Sequence, residues 1–432
     1  MKRIIGILAA VSMFFTGCAF NSGIDTLLTP PKLSAQQEQI YNALKEYVGT
    51  NISLKYPKSG DYLSAFIIAD IDLDGRDESI VFYEKNTLKT DDNTLRINIL
   101  DQVDGKWKSV YDYAAAGAEV EKVIISPLGN NEKVNIITGC SLINQSEKVV
   151  TIYDYSNGVL NTNFENNYYS VFDAQDIDGD GAKELFIALG QSSSKDASAA
   201  VYKLGENGEY TETTVSLSEG YSDYSGISYG SLDSETKGIY LDAVSGGNVI
   251  TEVLYMEDGI LRRLFSNKQA QETYRAASYL SKDVDGDGEI EIPIPSVLSG
   301  YQDYPEKERL SITDWYCLKN DSLVKRLSSY YSISNGYNFI IPEKWIGKVT
   351  AVYDSDNDEL TFCRYQGAIH DKLPVLFKMC VASDSEKSDS LAADGYTLIR
   401  TKGNKQFWLW INDSDSFIDS PSELMFNFIF DT

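Results

Sequence analysis

The pattern D-x-D-x-D-G-x-x-E occurs three times in this chain, and it constrains the fold more than any other feature. The copies are Asp70-Ile-Asp72-Leu-Asp74-Gly75-Arg76-Asp-Glu78, Asp176-Ile-Asp178-Gly-Asp180-Gly181-Ala182-Lys-Glu184 and Asp283-Val-Asp285-Gly-Asp287-Gly288-Glu289-Ile-Glu291. Carboxylates at alternating positions of a tight turn can converge on one hard cation. The glycine allows the turn, the residue after it (Arg76, Ala182 or Glu289) can add its backbone carbonyl, and the final Glu closes the shell. An EF-hand needs a bidentate Glu at the twelfth position, where this chain has Val81, Ile187 and Ile294. Short apolar runs flank the loops, among them Ala65–Ile68, Ser79–Tyr83 and Leu185–Leu189, and read as buried strands. The unit is therefore strand, Ca²⁺ loop, strand, with up to three calcium ions expected. A metal-free, Asx-rich turn is the competing reading.

On these loops and their flanking strands the chain resembles the FG-GAP and VCBS-type calcium repeats of integrin-like β-propellers. That resemblance implies propeller blades with Ca²⁺ between their first two strands, in a structural role.

The loops stand 106 and 107 residues apart, too far for one blade and suited to two. Turn signals agree. Asp104-Gly105, Asn157-Gly158, Asn207-Gly208, Asp258-Gly259 and Asn320-Asp321 follow at steps of 53, 50, 51 and 62 residues, each between strand-like runs. The intervening units should carry decayed loops, at Ser126–Glu132 and Ser231–Glu235, without metal. The fold class expected is mainly β: a β-propeller-like array of about five blades over 61–333, open or closed. A small α+β domain over 336–432 should follow it.

In that tail, Val349–Tyr353, Leu360–Tyr365, Val375–Val381, Tyr396–Thr401 and Gln406–Ile411 read as antiparallel strands, and Ser420–Phe430 as a helix capped by Ser420. Its Pro342–Trp345–Gly347 opening is similar to a domain at the end of other bacterial exported lipoproteins. Asp354-Ser-Asp356-Asn-Asp358 mimics a calcium loop but has Glu359 where the glycine is needed, so a plain hairpin turn is expected. Trp408 and Trp410 fall on one strand face, as a sugar-stacking pair or simply as core.

The N-terminus reads as an address. Lys2 and Arg3 precede an apolar run to Phe15, and the segment ends Phe15-Thr-Gly17-Cys18. This resembles the lipobox of bacterial lipoproteins, with Phe15 where the family usually has Leu. The resemblance implies a signal peptide over 1–17, a thioether-linked diacylglycerol on Cys18, and an exported protein anchored to the membrane by that lipid. Residues 18–33 read as a tether. Residues 34–60 hold a helix through about Tyr47, with Ile40, Leu44 and Tyr47 on one face, and a lead-in to the array. Loss of Lys2 and Arg3 takes the net charge from −26 to −28, which excludes the basic footprint of a nucleic-acid binder. Cys363 and Cys380 can form a disulfide or remain buried thiols.

Evidence for catalysis is thin in the sequence. Gly226-Ile-Ser228-Tyr-Gly230 matches the G-x-S-x-G elbow, but no helix pattern follows it, and the single histidine, His370, lies in the tail. The expectation is a non-enzymatic binding, adhesion or envelope-scaffold module for a protein or glycan of the cell surface. The alternative is a carboxylate-based surface hydrolase acting on glycan or peptidoglycan.

Overall fold

The computed structural model describes residues 33–86, 95–130, 133–143, 146–370 and 372–431. Residues 1–32, with the expected signal peptide, Cys18 and nearly all of the tether, lie outside them. Among the described residues no helix is long and apolar enough to cross a membrane.

Among the described residues six antiparallel sheets of four or five strands follow one another along the chain, and none closes on itself. The first contains Ile52–Lys55, Phe66–Ala69, Glu78–Lys85, Leu95–Val103 and Lys106–Ala114, the first two both pairing with Glu78–Lys85. The second is Glu119–Ser126, Asn135–Ser141, Lys148–Ser156 and Val159–Tyr169. The third is Val171–Gln175, Glu184–Leu189, Ser198–Leu204 and Tyr210–Ser216. The fourth is Asp223–Ser231, Lys237–Ser245, Asn248–Glu257 and Ile260–Arg263, with Arg275–Ala276 added beside Asn248–Glu257. The fifth is Ile292–Val297, Ser311–Lys319, Ser322–Ser332, Tyr337–Ile340 and Phe428–Phe430. The sixth comprises Val349–Asp354, Glu359–Arg364, Val375–Ala382, Thr397–Lys402 and Lys405–Ile411.

The five turn signals each join two consecutive strands of a sheet: the fourth and fifth of the first sheet, the third and fourth of the second, third and fourth sheets, and the second and third of the fifth, where the acidic loop's incoming strand is lost. Asp104-Gly105, Asn157-Gly158, Asp258-Gly259 and Asn320-Asp321 hold positive φ at both residues, from 49° to 75°. This is the twist a two-residue hairpin needs, and Asx and Gly tolerate it. The remaining turn is wider: Gly205 donates its amide to the Glu209 carbonyl at 2.9 Å, and only Gly208 takes positive φ.

Successive sheets pack face to face, and the core lies between them. Ile67, Phe82 and Ile97 of the first meet Val123, Ile136 and Tyr153 of the second. Ile137 and Ile152 meet Phe172 and Leu185, and Phe186 and Val201 meet Leu241 and Val253. Each fully buried large side chain contributes about 1.5–3 kcal/mol relative to exposure. The helix Ala35–Val48 covers the first sheet. Ser34 caps it by accepting from the Gln37 amide, Ile40 and Leu44 are buried, and Tyr47 is exposed.

The last hundred residues do not separate cleanly from the fifth sheet. Tyr337–Ile340 pairs with Ser329–Ser332, and Phe428–Phe430 returns to pair with Tyr337–Phe339. Phe339 packs on Phe362 and Phe377 of the sixth sheet, at centroid distances of 5.1 and 4.6 Å. The closing helix is shorter than expected, Pro421–Met425, capped by Ser420, because the chain must extend again to rejoin the sheet. Cys363 lies opposite Val375 while Cys380 lies opposite Glu359, roughly 15 Å apart along the strands, beyond disulfide reach. Both are buried free thiols, as are Cys140 and Cys317.

Candidate metal centres

The three acidic loops occupy equivalent places. The first joins Phe66–Ala69 to Glu78–Lys85 and the second joins Val171–Gln175 to Glu184–Leu189. The third precedes Ile292–Val297, with its incoming strand reduced to the bridge Lys282↔Glu291. In each, the first-position Asp holds later amides of the turn: Gly75 donates to Asp70 Oδ2 at 3.0 Å, Gly179 to Asp176 Oδ1 at 2.8 Å and Gly288 to Asp283 Oδ2 at 2.9 Å.

The terminal glutamates are the most informative residues. Glu78, Glu184 and Glu291 are at most 1% exposed. One oxygen of each accepts an amide from the loop start: Ile71 to Glu78 at 2.9 Å, Ile177 to Glu184 at 2.9 Å and Val284 to Glu291 at 3.0 Å. The other oxygen, Oε1 in all three, is buried without a hydrogen-bond partner among the described residues, and only that of Glu184 has an ammonium near it, Lys203 Nζ at 3.9 Å. A buried carboxylate oxygen left unpartnered is costly unless a cation meets it. Burial first, then the adjacent Asp carboxylates, push these glutamates up to about 7, against the loop amide that pulls them down. Ligand atoms of Asp70, Asp72 and Glu78 lie within 4.8 Å of one another, as do those of Asp176, Asp178 and Glu184 and of Asp283, Asp285 and Glu291. These residues fit a hard divalent cation with oxygen ligands, the class to which Ca²⁺ belongs.

The fifth-position aspartates behave differently. Asp74 pairs with Arg76, Asp180 with Lys203 at 2.6 Å and Asp287 with Arg326 at 2.9 Å. Those basic partners hold Asp74 and Asp180 below the usual carboxylate range. Lys203 and Arg326 arrive from other strands of the same sheet, so no local pattern in the sequence marks them.

The two decayed loops lean on the acidic ones. Gly129 donates its amide to the Lys183 carbonyl at 2.9 Å, and Ser231 to the Gly288 carbonyl at 2.9 Å. The Asp354–Asp358 turn is closed by its own Asx bonds, Asn357 Nδ2 donating to Asp354 Oδ2 at 2.7 Å. Trp408 is buried with Cys380 and Leu391 beneath the helix Ser385–Ala393, while Trp410 is half-buried. Ser228 lies within a continuous strand and donates its hydroxyl to the Ser281 carbonyl at 3.0 Å. His370 sits in a loop of the sixth sheet, its Nδ1 accepting the Lys372 amide at 3.2 Å.

At the opposite end from the acidic loops, a cleft of about 370 Å³ opens between the second, third and fourth sheets. Tyr168, Lys195, Gln191, Glu147 and Asp223 line it. The Lys195 ammonium lies 2.7 Å above the Tyr168 ring centroid and has no hydrogen-bond partner among the described residues. Nothing in the sequence singled these residues out, because four separate connections bring them together.

No protein-family model matches this chain, and no curated protein matches it. Solved structures similar to it include an exotype rhamnogalacturonan lyase, at 13% identity over 73% of this chain and 72% of that one, with a TM-score of 0.31. A rhamnogalacturonan lyase of Bacillus licheniformis matches at 11% identity over 75% and 76%, TM-score 0.31. An exo-β-1,3-galactanase from Phanerochaete chrysosporium matches at 9% identity over 76% and 79%, TM-score 0.26. The expectation that the chain is not an enzyme is set aside by these names, which are those of lyases and a galactanase. At such TM-scores they assign neither an activity nor a substrate to this chain.

Proposed function

We propose that this chain is a lipid-anchored, extracytoplasmic protein whose sheets are the blades of a β-propeller-like array, with one structural Ca²⁺ in each acidic loop. Under this reading the metal-loop end stabilises the array, and the cleft at the other end engages a cell-surface glycan. The observation that carries the calcium assignment is the buried Oε1 of Glu78, Glu184 and Glu291, which has no hydrogen-bond partner among the described residues. Four turn-forming carboxylates in a loop repel one another without a cation, and a cation bound only by the folded loop stabilises the fold by mass action.

The lipid anchor rests on Cys18, and the acyl chains are the only strong membrane term expected. Melting of the full chain with Ca²⁺ and with chelator tests the calcium reading, which expects a higher melting temperature with Ca²⁺. Equal melting in both would contradict it. Cys18→Ala should convert a detergent-phase protein into a released or uncleaved one, and carbonate-resistant membrane binding by the variant would contradict the anchor.

One observation favours action on a glycan over simple binding: two carboxylates, Glu147 and Asp223, line the cleft beside Tyr168. Paired carboxylates are the groups glycoside cleavage uses. A glycan array followed by reducing-end release distinguishes the two. Cleavage abolished by Glu147→Gln or Asp223→Asn, with binding retained, would establish the hydrolase. Binding lost in Tyr168→Ala with no cleavage by the native chain would establish the binding module.

A further inference from the structure

The three loops differ in how many of their converging carboxylates are already held by a base. In the first loop Arg76 pairs with Asp74 alone, and no basic side chain among the described residues reaches Asp70 or Asp72. In the third, Arg326 reaches Asp285 at 3.5 Å as well as Asp287, and Asp283 has no basic partner among the described residues. In the second, both converging aspartates are held. Lys203 pairs with Asp178 as well as Asp180 and comes within 3.9 Å of Glu184. Lys237, from the fourth sheet, donates to the Asp176 carboxylate and to its backbone carbonyl, each at 3.1 Å.

Resting on the calcium reading above, we infer that the loops form a graded series. The first binds Ca²⁺ most tightly, the third less so, and the second is a conditional site that fills last. Calcium affinity in oxygen-ligand loops follows the charge of the ligand set. An ammonium in contact with two ligands opposes a divalent ion on two counts: it neutralises the carboxylates, and it repels the ion directly. Even at the dielectric constant of water, a unit charge about 4 Å from a divalent ion changes affinity by roughly tenfold or more. Filling the second loop also takes Asp176 from Lys237, a link between the third and fourth sheets. The second loop thereby makes that junction responsive to calcium, while the first and third act as permanent staples.

The test is a titration of the full chain with chelator-buffered Ca²⁺, read by native mass spectrometry. Glu78→Gln, Glu184→Gln and Glu291→Gln assign each bound ion to a loop. The expected result is stepwise filling, with the last ion lost only in Glu184→Gln. Lys203→Gln should tighten that last step roughly tenfold, while Lys203→Arg leaves it weak. Three equal sites, a weakest site that maps to the first or third loop, or a last step indifferent to Lys203→Gln would overturn the ordering. Failure of every loop to bind Ca²⁺ would defeat the calcium reading, and the ordering with it.

Discussion

Ser231 donates its amide to the carbonyl of Gly288 at 2.9 Å, so a loop that lacks the carboxylate cluster is held by the acidic loop of the next sheet. Gly129 and Lys183 repeat the relationship between the second and third sheets. The alternation of acidic and decayed loops thus has a physical basis: the second and third acidic loops each order their own turn and support the decayed loop before them. Gly230 shows how close the approach is. A Cβ there would stand 2.6 Å from Ile290 Cγ1 and 3.0 Å from the Gly288 carbonyl. Gly230→Ala should cost about 1–3 kcal/mol through overpacking and weaken calcium binding at the third loop. Denaturant unfolding with and without Ca²⁺ measures both, and an unchanged midpoint would contradict the packing account.

Glu291→Gln should have opposite effects with and without metal. The amide oxygen can still accept from Val284, and the buried charge is gone, so the variant should be as stable as the native chain in chelator, or more so. In saturating Ca²⁺ it should be less stable, by about 2.7 kcal/mol at a hundredfold excess over the dissociation constant. Paired thermal melts read this directly, and equal destabilisation in both conditions would mark Glu291 as a packing residue only.

Metal-free stability should fall as pH rises toward neutrality. Glu78, Glu184 and Glu291 ionise near 4.5 when unperturbed and near 7 in the fold. Between those values the folded chain keeps protons that the unfolded chain has released, so this stabilisation is full below about 4.5 and is lost as pH rises through about 7. Calcium needs the deprotonated forms, so its apparent affinity should rise over the same window. Chemical denaturation in chelator from pH 5 to 8 checks the slope, and stability increasing across that range without metal would contradict it.

Arg275 and Asp242 form a buried ion pair at 2.7 Å, joined by Thr251 and Ser281. The network fixes the segment that leads into Asp283. Arg275→Met should destabilise by about 3–5 kcal/mol, because it leaves Asp242 buried and unpaired. Replacing both with apolar residues should recover most of that loss. A single variant with native stability would show the pair to be dispensable.

The legible part of this chain is the part written in local chemistry. Each acidic loop and each Asx-Gly hairpin carries its own turn residues, so the sheets from Phe66 to Ser332 can be counted from the order of residues alone. What the order of residues hides is non-local. Phe428–Phe430 joins the fifth sheet through a strand some ninety residues earlier, and nothing near Phe428 announces that partner. Lys203 and Lys237 look like ordinary surface lysines on alternating strands until strand pairing brings Lys203 onto Asp178 and sheet stacking brings Lys237 onto Asp176. The cleft around Lys195 is assembled from four connections and has no motif. The cysteines show the same limit: Cys363 and Cys380 sit in neighbouring strands, and only the register shows that they cannot meet.

The central claim is that the three acidic loops are calcium sites, and the most direct measurement is a count of ions. After equilibrium dialysis of the full chain in millimolar Ca²⁺, elemental analysis should return three calcium ions per chain. Glu78→Gln, Glu184→Gln and Glu291→Gln should each remove one. A count near zero, or one unchanged by all three substitutions, would contradict the account.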